Sequence, residues 1–95
     1  MLAEPAGALA GARSCSFTSE LGGHAPVLVF PDADLDVAVA GACFAAFLAA
    51  GQTCVSAKRI LVHASIHDEF AAKFAARAEA LRVEEPFSTD CDLGP

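Results

Sequence analysis

Two side chains, Cys54 and Glu20, combine a reactive type with a position that suits catalysis. Cys54 lies in "LAAGQTCVSAKRI", residues 48–60, where an apolar run stops and a connection to the next element begins. A cysteine acts as a nucleophile when it is accessible and a nearby base or cation favours the thiolate, and Lys58 and Arg59 are close in sequence. The alternative is a small, buried, unreactive side chain, the commoner role of a free cysteine.

Glu20 opens the segment "ELGG", residues 20–23, and lies 34 residues before Cys54. The two glycines can take positive φ, so the backbone there is permissive. A glutamate beside such a turn can approach a reacting group and act as a general base. The alternative is a solvated loop carboxylate. The residues alone leave both interpretations open for Glu20, as they do for Cys54.

The histidines and cysteines do not form a recognisable metal site. Their spacings match none of the usual ligand patterns, and the sequence contains no CxxC pair. We therefore predict that no metal is bound. Cys43 is expected to pack inside a helix. The side chains that could serve as ligands are His24, His63, His67 and the four cysteines, Cys15, Cys43, Cys54 and Cys91.

Composition limits the classes of partner. The chain has 95 residues, enough for one small domain at most, yet 55% of them are hydrophobic. A chain that is this short and this apolar should bind a partner or belong to a larger protein, because short chains bury only part of their surface. The net charge of −6 argues against binding to nucleic acid or to an anionic membrane surface.

The sequence carries no convincing targeting or membrane signal. The first 14 residues, "MLAEPAGALAGARS", lack a positively charged start, so we expect no signal peptide. Residues 37–50 are apolar but too few to cross a bilayer, which indicates a buried core helix. Without a secretory signal, we interpret the four cysteines as free thiols in a reducing compartment, the cytoplasm.

Hydropathy patterns predict the order strand, helix, strand, helix. Residues 25–30 are typical of a strand buried on both faces, and residues 59–63 of a second strand. This order indicates a parallel α/β sheet. The connection that holds Cys54 joins a buried helix to a buried strand, and such junctions often hold active sites. Residues 1–19 show no clear period and are predicted to be irregular.

The helices carry signals at their ends. The first is predicted over about residues 35–50, apolar almost all round and therefore enclosed, with Asp32 or Asp34 capping its start and Gly51 following its end. The second begins near "SIHDEF", where Ser65 and Asp68 have the spacing of a capping box. Its apolar stripe consists of Ile66, Phe70, Phe74 and Leu81.

Taken together, five motifs resemble the catalytic domain of the NAD(P)-dependent aldehyde dehydrogenase superfamily. "ELGG" is similar to the family's catalytic-glutamate motif and "GQTCVSAKR" to its catalytic-cysteine motif, with a suitable separation. The resemblance covers residues 20–95, whereas residues 1–19 match poorly. The motifs in chain order are "ELGG" at 20–23, "FPDADLDVAV" at 30–39, "GQTCVSAKR" at 51–59, "SIHDEF" at 65–70 and "DLGP" at 92–95.

The resemblance implies a fold and a mechanism. The fold would be a partial parallel-sheet (βαβα) piece of the catalytic domain. Cys54 would attack an aldehyde, hydride would pass to NAD or NADP, and Glu20 would activate water to hydrolyse the thioester. The Cys54 backbone N–H would contribute to an oxyanion hole, and Leu21 and Gly22 would lie near the nicotinamide.

Some family features have no counterpart here. His24 stands where the family usually has lysine, and the asparagine that supplies the second oxyanion donor is absent, as is the cofactor-binding domain. The glutamate that holds the nicotinamide ribose would lie beyond Pro95. We therefore expect an incomplete chain that is inactive alone, although its full-length relatives would be enzymes acting on small aldehydes as homo-oligomers.

Two further hypotheses stay open. In the first, the chain is a non-enzymatic truncated fragment that misfolds or associates with a full-length relative, since its apolar helix has too little chain to cover it. In the second, it is a thiol-based redox or binding module that uses Cys54.

Overall fold

The computed structural model describes Ser16 and residues 18–94, in which two strands alternate with two α-helices. The expected βαβα order is therefore confirmed. A short 3₁₀ turn, Ala64–Ile66, precedes the second helix. The strands and helices are β1 (Pro26–Val29), α1 (Leu35–Phe47), β2 (Arg59–Val62) and α2 (His67–Glu79). Most of the predicted irregular segment, residues 1–19, lies outside the described residues, so its separation from residues 20–95 stays a prediction.

The two strands pair in parallel, as the sequence predicts for a βαβ unit. The register runs from Pro26 opposite Arg59 to Val29 opposite Val62, and α1 forms the crossover between the strands. The chain is thus a partial α/β piece with a two-stranded parallel sheet.

Asp34 starts α1. Its Oδ1 accepts a hydrogen bond from the backbone N–H of Val37 at 3.1 Å, which satisfies one of the free donors of the first turn. Asp36 adds negative charge to the same turn, where the helix dipole favours it. Of the two candidate caps predicted from "PDAD", Asp34 is therefore the one used.

The predicted capping box of α2 is wrong. The hydroxyl of Ser65 pairs with Nδ1 of His63 at 2.9 Å, and Asp68 pairs with Nδ1 of His67 at 3.0 Å. Ser65 lies in the 3₁₀ turn and Asp68 in the first turn of α2, and α2 starts after Ile66 without a side-chain cap. The local competition of short polar side chains for nearby partners explains the difference.

Both helices pack on one face of the sheet. Val29 of β1, Val39 and Ala42 of α1 and Phe70 of α2 are buried together in one cluster. Further apolar side chains surround this cluster: Val27, Leu35, Ala38, Ile60, Val62, Ile66 and Phe74. The predicted stripe of α2 is confirmed in its central residues, because burying an apolar face is what stabilises such a helix.

The other face of the sheet is open, contrary to the prediction of strands buried on both faces. Leu28 is 61% exposed, Phe30 59% and Leu61 52%. Alternate side chains of a strand point to opposite faces, and both described helices cover the face of Val27 and Val29. The prediction that α1 is enclosed on most sides also fails within the described residues, since Phe44 is 67% exposed.

Exposed ion pairs fasten α2 and the loop after it. Lys73 of α2 bonds Asp36 of α1 at 2.7 Å, and this hydrogen bond raises the pKa of Lys73 above 10.5. In the C-terminal loop, hydrogen bonds from Arg82 to Asp92 lower the pKa of that carboxyl below 3.8. Because these side chains are exposed, the ion pairs contribute little to the free energy of unfolding.

Replacing Asp34 tests the cap of α1. We expect Asp34→Ala to lower the free energy of unfolding by about 1 kcal/mol, because the first turn loses an acceptor, and Asp34→Asn to retain most of it. The measurement is urea unfolding followed by far-UV circular dichroism. Asp32→Ala, two residues earlier on the same turn, is the matched control. Equal losses for Asp32→Ala and Asp34→Ala would contradict the assignment.

Candidate active site

The parallel pairing brings the two candidate segments to the same end of the sheet. Glu20 lies six residues before Pro26, the first residue of β1, and Cys54 lies five residues before Arg59, the first residue of β2. Both segments therefore enter the amino ends of adjacent, paired strands. Open α/β sheets usually bind ligands outside the carboxyl ends of their strands. The two candidate segments lie at the amino ends instead, so this rule does not describe the junction that holds Cys54.

Two hydrogen bonds join the segments just before the strands begin. The backbone N–H of Lys58 donates to the carbonyl of Ala25 at 3.2 Å, and Nη2 of Arg59 donates to the carbonyl of His24 at 3.1 Å. His24 is four residues from Glu20, and Lys58 is four residues from Cys54. The segment that carries the glutamate is thus fastened directly to the segment that carries the cysteine.

A left-handed backbone turn leads from α1 into the Cys54 segment. Ala49 and Ala50 have φ of 51° and 56°, and Gly51 has φ of 73°. The helix therefore ends at Phe47, earlier than predicted, with Leu48 rather than Gly51 closing it. A left-handed alanine costs about 1–2 kcal/mol, so the two alanines strain this turn.

Lys58 holds the end of this strained turn. Its ammonium Nζ donates to the carbonyl of Gly51 at 2.8 Å. The sequence suggests Lys58 and Arg59 as cations that could favour the thiolate of Cys54. In the structure both donate to backbone carbonyls, so their observed role is to shape the segments around Cys54 and Glu20.

Cys54 is at the tip of a tight turn. The backbone N–H of Ser56 donates to the carbonyl of Thr53 at 3.1 Å, which places Cys54 and Val55 at the two central positions. Cys54 is exposed and free, and Val55 is 69% exposed. The alternative of a small buried side chain is therefore wrong for Cys54, whereas Cys43 of α1 is buried as predicted.

The turn stands on a buried base. The backbone N–H of Ala57 donates to the carbonyl of Ala45 in α1 at 3.0 Å, and Ser56 is only 1% exposed. The sequence offered no reason to single out Ser56. A serine two positions after a candidate nucleophile stands out as a possible functional residue only when the structure shows that it is buried.

The "ELGG" segment forms an open surface. Glu20, Gly22 and Gly23 are exposed, and Leu21 is 80% exposed. A Cβ added to either glycine would meet no atom of the described residues within 4 Å, and neither glycine takes a positive φ. The conformational freedom expected here is instead used at Gly51. No side chain of the described residues fills the space where a Cβ of Gly22 would lie.

The described residues contain neither a cluster of metal ligands nor a membrane-spanning helix. No group of histidine, cysteine or acidic side chains in residues 18–94 has the arrangement of a metal site. Within the same part of the chain, no helix has the length and apolar character needed to cross a membrane.

Comparison with known proteins gives one consistent result. The family model described as "Aldehyde dehydrogenase family" matches residues 4–95. Succinate-semialdehyde dehydrogenase [NADP(+)] of Mycobacterium leprae is 49% identical over 96 residues, which cover 97% of this chain and 21% of that protein.

The solved structures agree. Succinate-semialdehyde dehydrogenase from Burkholderia pseudomallei matches 99% of this chain and 20% of its own, with a TM-score of 0.85 and 40% identity. Betaine aldehyde dehydrogenase from Staphylococcus aureus, solved in complex with NAD+, matches 97% of this chain and 18% of its own, with a TM-score of 0.85 and 33% identity.

The chain belongs to the aldehyde dehydrogenase family, whose named members are enzymes. The resemblance drawn from five motifs is thereby confirmed, as is the assignment to a partial α/β piece of the family's fold. The family model matches from residue 4 onward, so the match extends beyond the residues 20–95 that the motifs covered. The chain spans about a fifth of the length of the curated relatives it matches.

Replacing Gly51 tests the left-handed turn. We expect Gly51→Ala to lower the free energy of unfolding by about 1–2 kcal/mol, because φ is positive and the new Cβ would lie 3.1 Å from the carbonyl oxygen of Ala46. Gly22→Ala is the matched control, and its effect should stay within about 0.5 kcal/mol. Urea unfolding measures both. An unchanged free energy of unfolding in Gly51→Ala would contradict the positive φ assigned to Gly51.

Proposed function

We propose that this chain supplies the nucleophile and the general base of an enzyme that oxidises an aldehyde to a carboxylic acid with NAD or NADP. The observation that carries the proposal is the fastening of the Glu20 and Cys54 segments at one end of the paired strands. Family membership supports the reaction class. The printed names of the relatives favour succinate semialdehyde and NADP+ as the first substrate and cofactor to test.

Cys54 is the proposed nucleophile. Its thiolate adds to the aldehyde carbon, and the carbonyl oxygen becomes the oxyanion of a thiohemiacetal. The turn is closed by the N–H of Ser56, which leaves the N–H of Cys54 without a partner in the described part of the chain. That free donor, next to the reacting sulfur, suits stabilisation of the oxyanion.

Leu21 and Gly22 are the proposed contacts of the nicotinamide ring, because Leu21 is 80% exposed and a Cβ at Gly22 would meet no atom of the described residues within 4 Å. When bound, the cofactor supplies the hydride acceptor that oxidises the adduct on Cys54 to a thioester.

Glu20 is the proposed general base. Its exposed carboxylate takes a proton from water, and the hydroxide that forms attacks the thioester carbon. The carboxylic acid then leaves and the Cys54 thiolate is restored. We propose that the complete enzyme works in the cytoplasm as a homo-oligomer. The three described cysteines, Cys43, Cys54 and Cys91, are free, as is usual in a reducing compartment.

A chimaera tests the proposal. In it, this chain replaces the matching segment of the M. leprae relative, and turnover is followed by NADPH absorbance. We expect Cys54→Ala to reduce activity to background, because no adduct can form. We expect Glu20→Gln to lower kcat by about 10²–10⁴-fold, with a burst of NADPH preserved because only hydrolysis of the thioester is slowed.

The matched controls are Cys91→Ala and Glu85→Gln, which change the same residue types far along the chain from either segment. Full activity in the Cys54→Ala chimaera would refute the mechanism. A Glu20→Gln chimaera that loses the burst as well would refute the assignment of Glu20 to hydrolysis alone.

A second candidate function rests on the open apolar faces. Leu28, Phe30 and Leu61 on the sheet and Phe44 on α1 remain exposed. These side chains favour a non-enzymatic piece that associates with a full-length relative, because exposed apolar patches of this kind mark interaction sites. Native mass spectrometry of the isolated chain distinguishes the two states. A compact monomer that ignores added full-length relative would count against the association.

Alkylation tests the thiol-module hypothesis. Because Cys54 is exposed and Cys43 is 3% exposed, we expect iodoacetamide to label Cys54 first in the folded chain. Mass spectrometry of peptides over time measures the rates, and the same reaction in denaturant is the control. Equal rates at Cys54 and Cys43 without denaturant would remove the case for a special thiol.

A further inference from the structure

Ser56 is the buried polar side chain of the described residues. It is 1% exposed and lies two positions after the exposed Cys54. A buried hydroxyl costs free energy unless it is hydrogen-bonded, so its presence at the base of this turn calls for a physical reason.

The reason is a set of hydrogen bonds between Ser56 and Thr53. Their hydroxyl oxygens are 2.6 Å apart, and the Oγ of Ser56 also accepts from the N–H of Thr53 at 3.4 Å. The N–H of Ser56 in turn donates to the carbonyl of Thr53 at 3.1 Å. The two residues that flank Cys54 and Val55 are therefore joined through both backbone and side chains.

This arrangement separates a fixed base from an exposed tip. Ala57 ties the base to α1 through Ala45, and Thr53 is half-buried beside Ser56. Without the hydroxyl pair, only one backbone hydrogen bond would close the turn, and isolated turns of that kind interconvert readily. With the hydroxyl pair, Cys54 is held at one of the two central positions with its N–H free.

We propose that Thr53 and Ser56 are positioning residues that orient the Cys54 thiolate and its backbone N–H toward the same substrate carbonyl. This inference rests on the proposed function of Cys54. Neither hydroxyl takes part in bond making. Their effect falls on kcat more than on KM, because a misplaced nucleophile slows the chemical step while most substrate contacts lie elsewhere.

Thr53 offers a matched pair of variants. Thr53→Val keeps the shape and removes the hydroxyl, whereas Thr53→Ser keeps the hydroxyl and removes a methyl group. In the chimaera described above, we expect Thr53→Val to lower kcat by about 10–100-fold with KM changed by less than about threefold. We expect Thr53→Ser to restore kcat to within about threefold of the parent.

Hydrogen exchange of the chain itself gives a second readout. The amide of Ser56 should lose protection in Thr53→Val and keep it in Thr53→Ser. If Thr53→Val fails to fold, Ser56→Ala removes the same hydroxyl pair from the other side, and the same kcat loss is expected. A purely structural role would lower the stability of Thr53→Val and Thr53→Ser alike, without a selective effect on kcat.

The Cys54→Ala chimaera separates the two proposals. If it is inactive while Thr53→Val turns over like the parent, the positioning role is overturned and the proposed function stands. If Cys54→Ala retains activity, the proposed function fails and the positioning role fails with it. Inactive Cys54→Ala together with a kcat-selective loss in Thr53→Val and rescue by Thr53→Ser supports both.

Discussion

The parallel pairing of β1 with β2 is the constraint on which the candidate site depends. Four residue pairs, from Pro26–Arg59 to Val29–Val62, fix how far each preceding segment extends beyond the sheet. A slip of one residue would move one segment by about 3.3 Å relative to the other and turn Val27 and Val29 away from the helices. The burial of Val29 among helix side chains therefore also fixes the register that brings the two candidate segments to the same end of the sheet.

The sequence was sufficient for the elements and their order, because these depend on patterns that local physics imposes. The Val-rich run 25–30 and the run 59–63 indicated strands of a βαβ unit, and Asp34 was one of two candidate caps. Cys54 and Glu20 were identified by residue type and by family motifs. Their catalytic roles stay predictions, although the structure brings their segments together.

Other features depended on information that one sequence does not display. Alanine is the best helix former, so the local sequence gave no indication that Ala49 and Ala50 would adopt a left-handed backbone. The burial of Ser56 follows from how α1 and the Cys54 segment meet, which is a tertiary property. The open sheet face was misjudged because an apolar strand has the same pattern whether or not a covering layer is present within the chain.

The strained turn and the hydroxyl pair solve one geometric problem together. The backbone leaves the α-helical conformation after Phe47 by changing to positive φ at residues 49–51. The left-handed residues do this at a cost, and Lys58 offsets part of it by bonding the last strained carbonyl. Beyond that point the bonds lie at the base of the Cys54 turn, through Thr53, Ser56 and Ala57. The strained residues 49–51 thus precede Cys54, and the hydrogen-bonded residues Thr53 and Ser56 flank it. Cys54 lies at the exposed tip between Thr53 and Ser56, where a nucleophile is accessible and its direction is fixed.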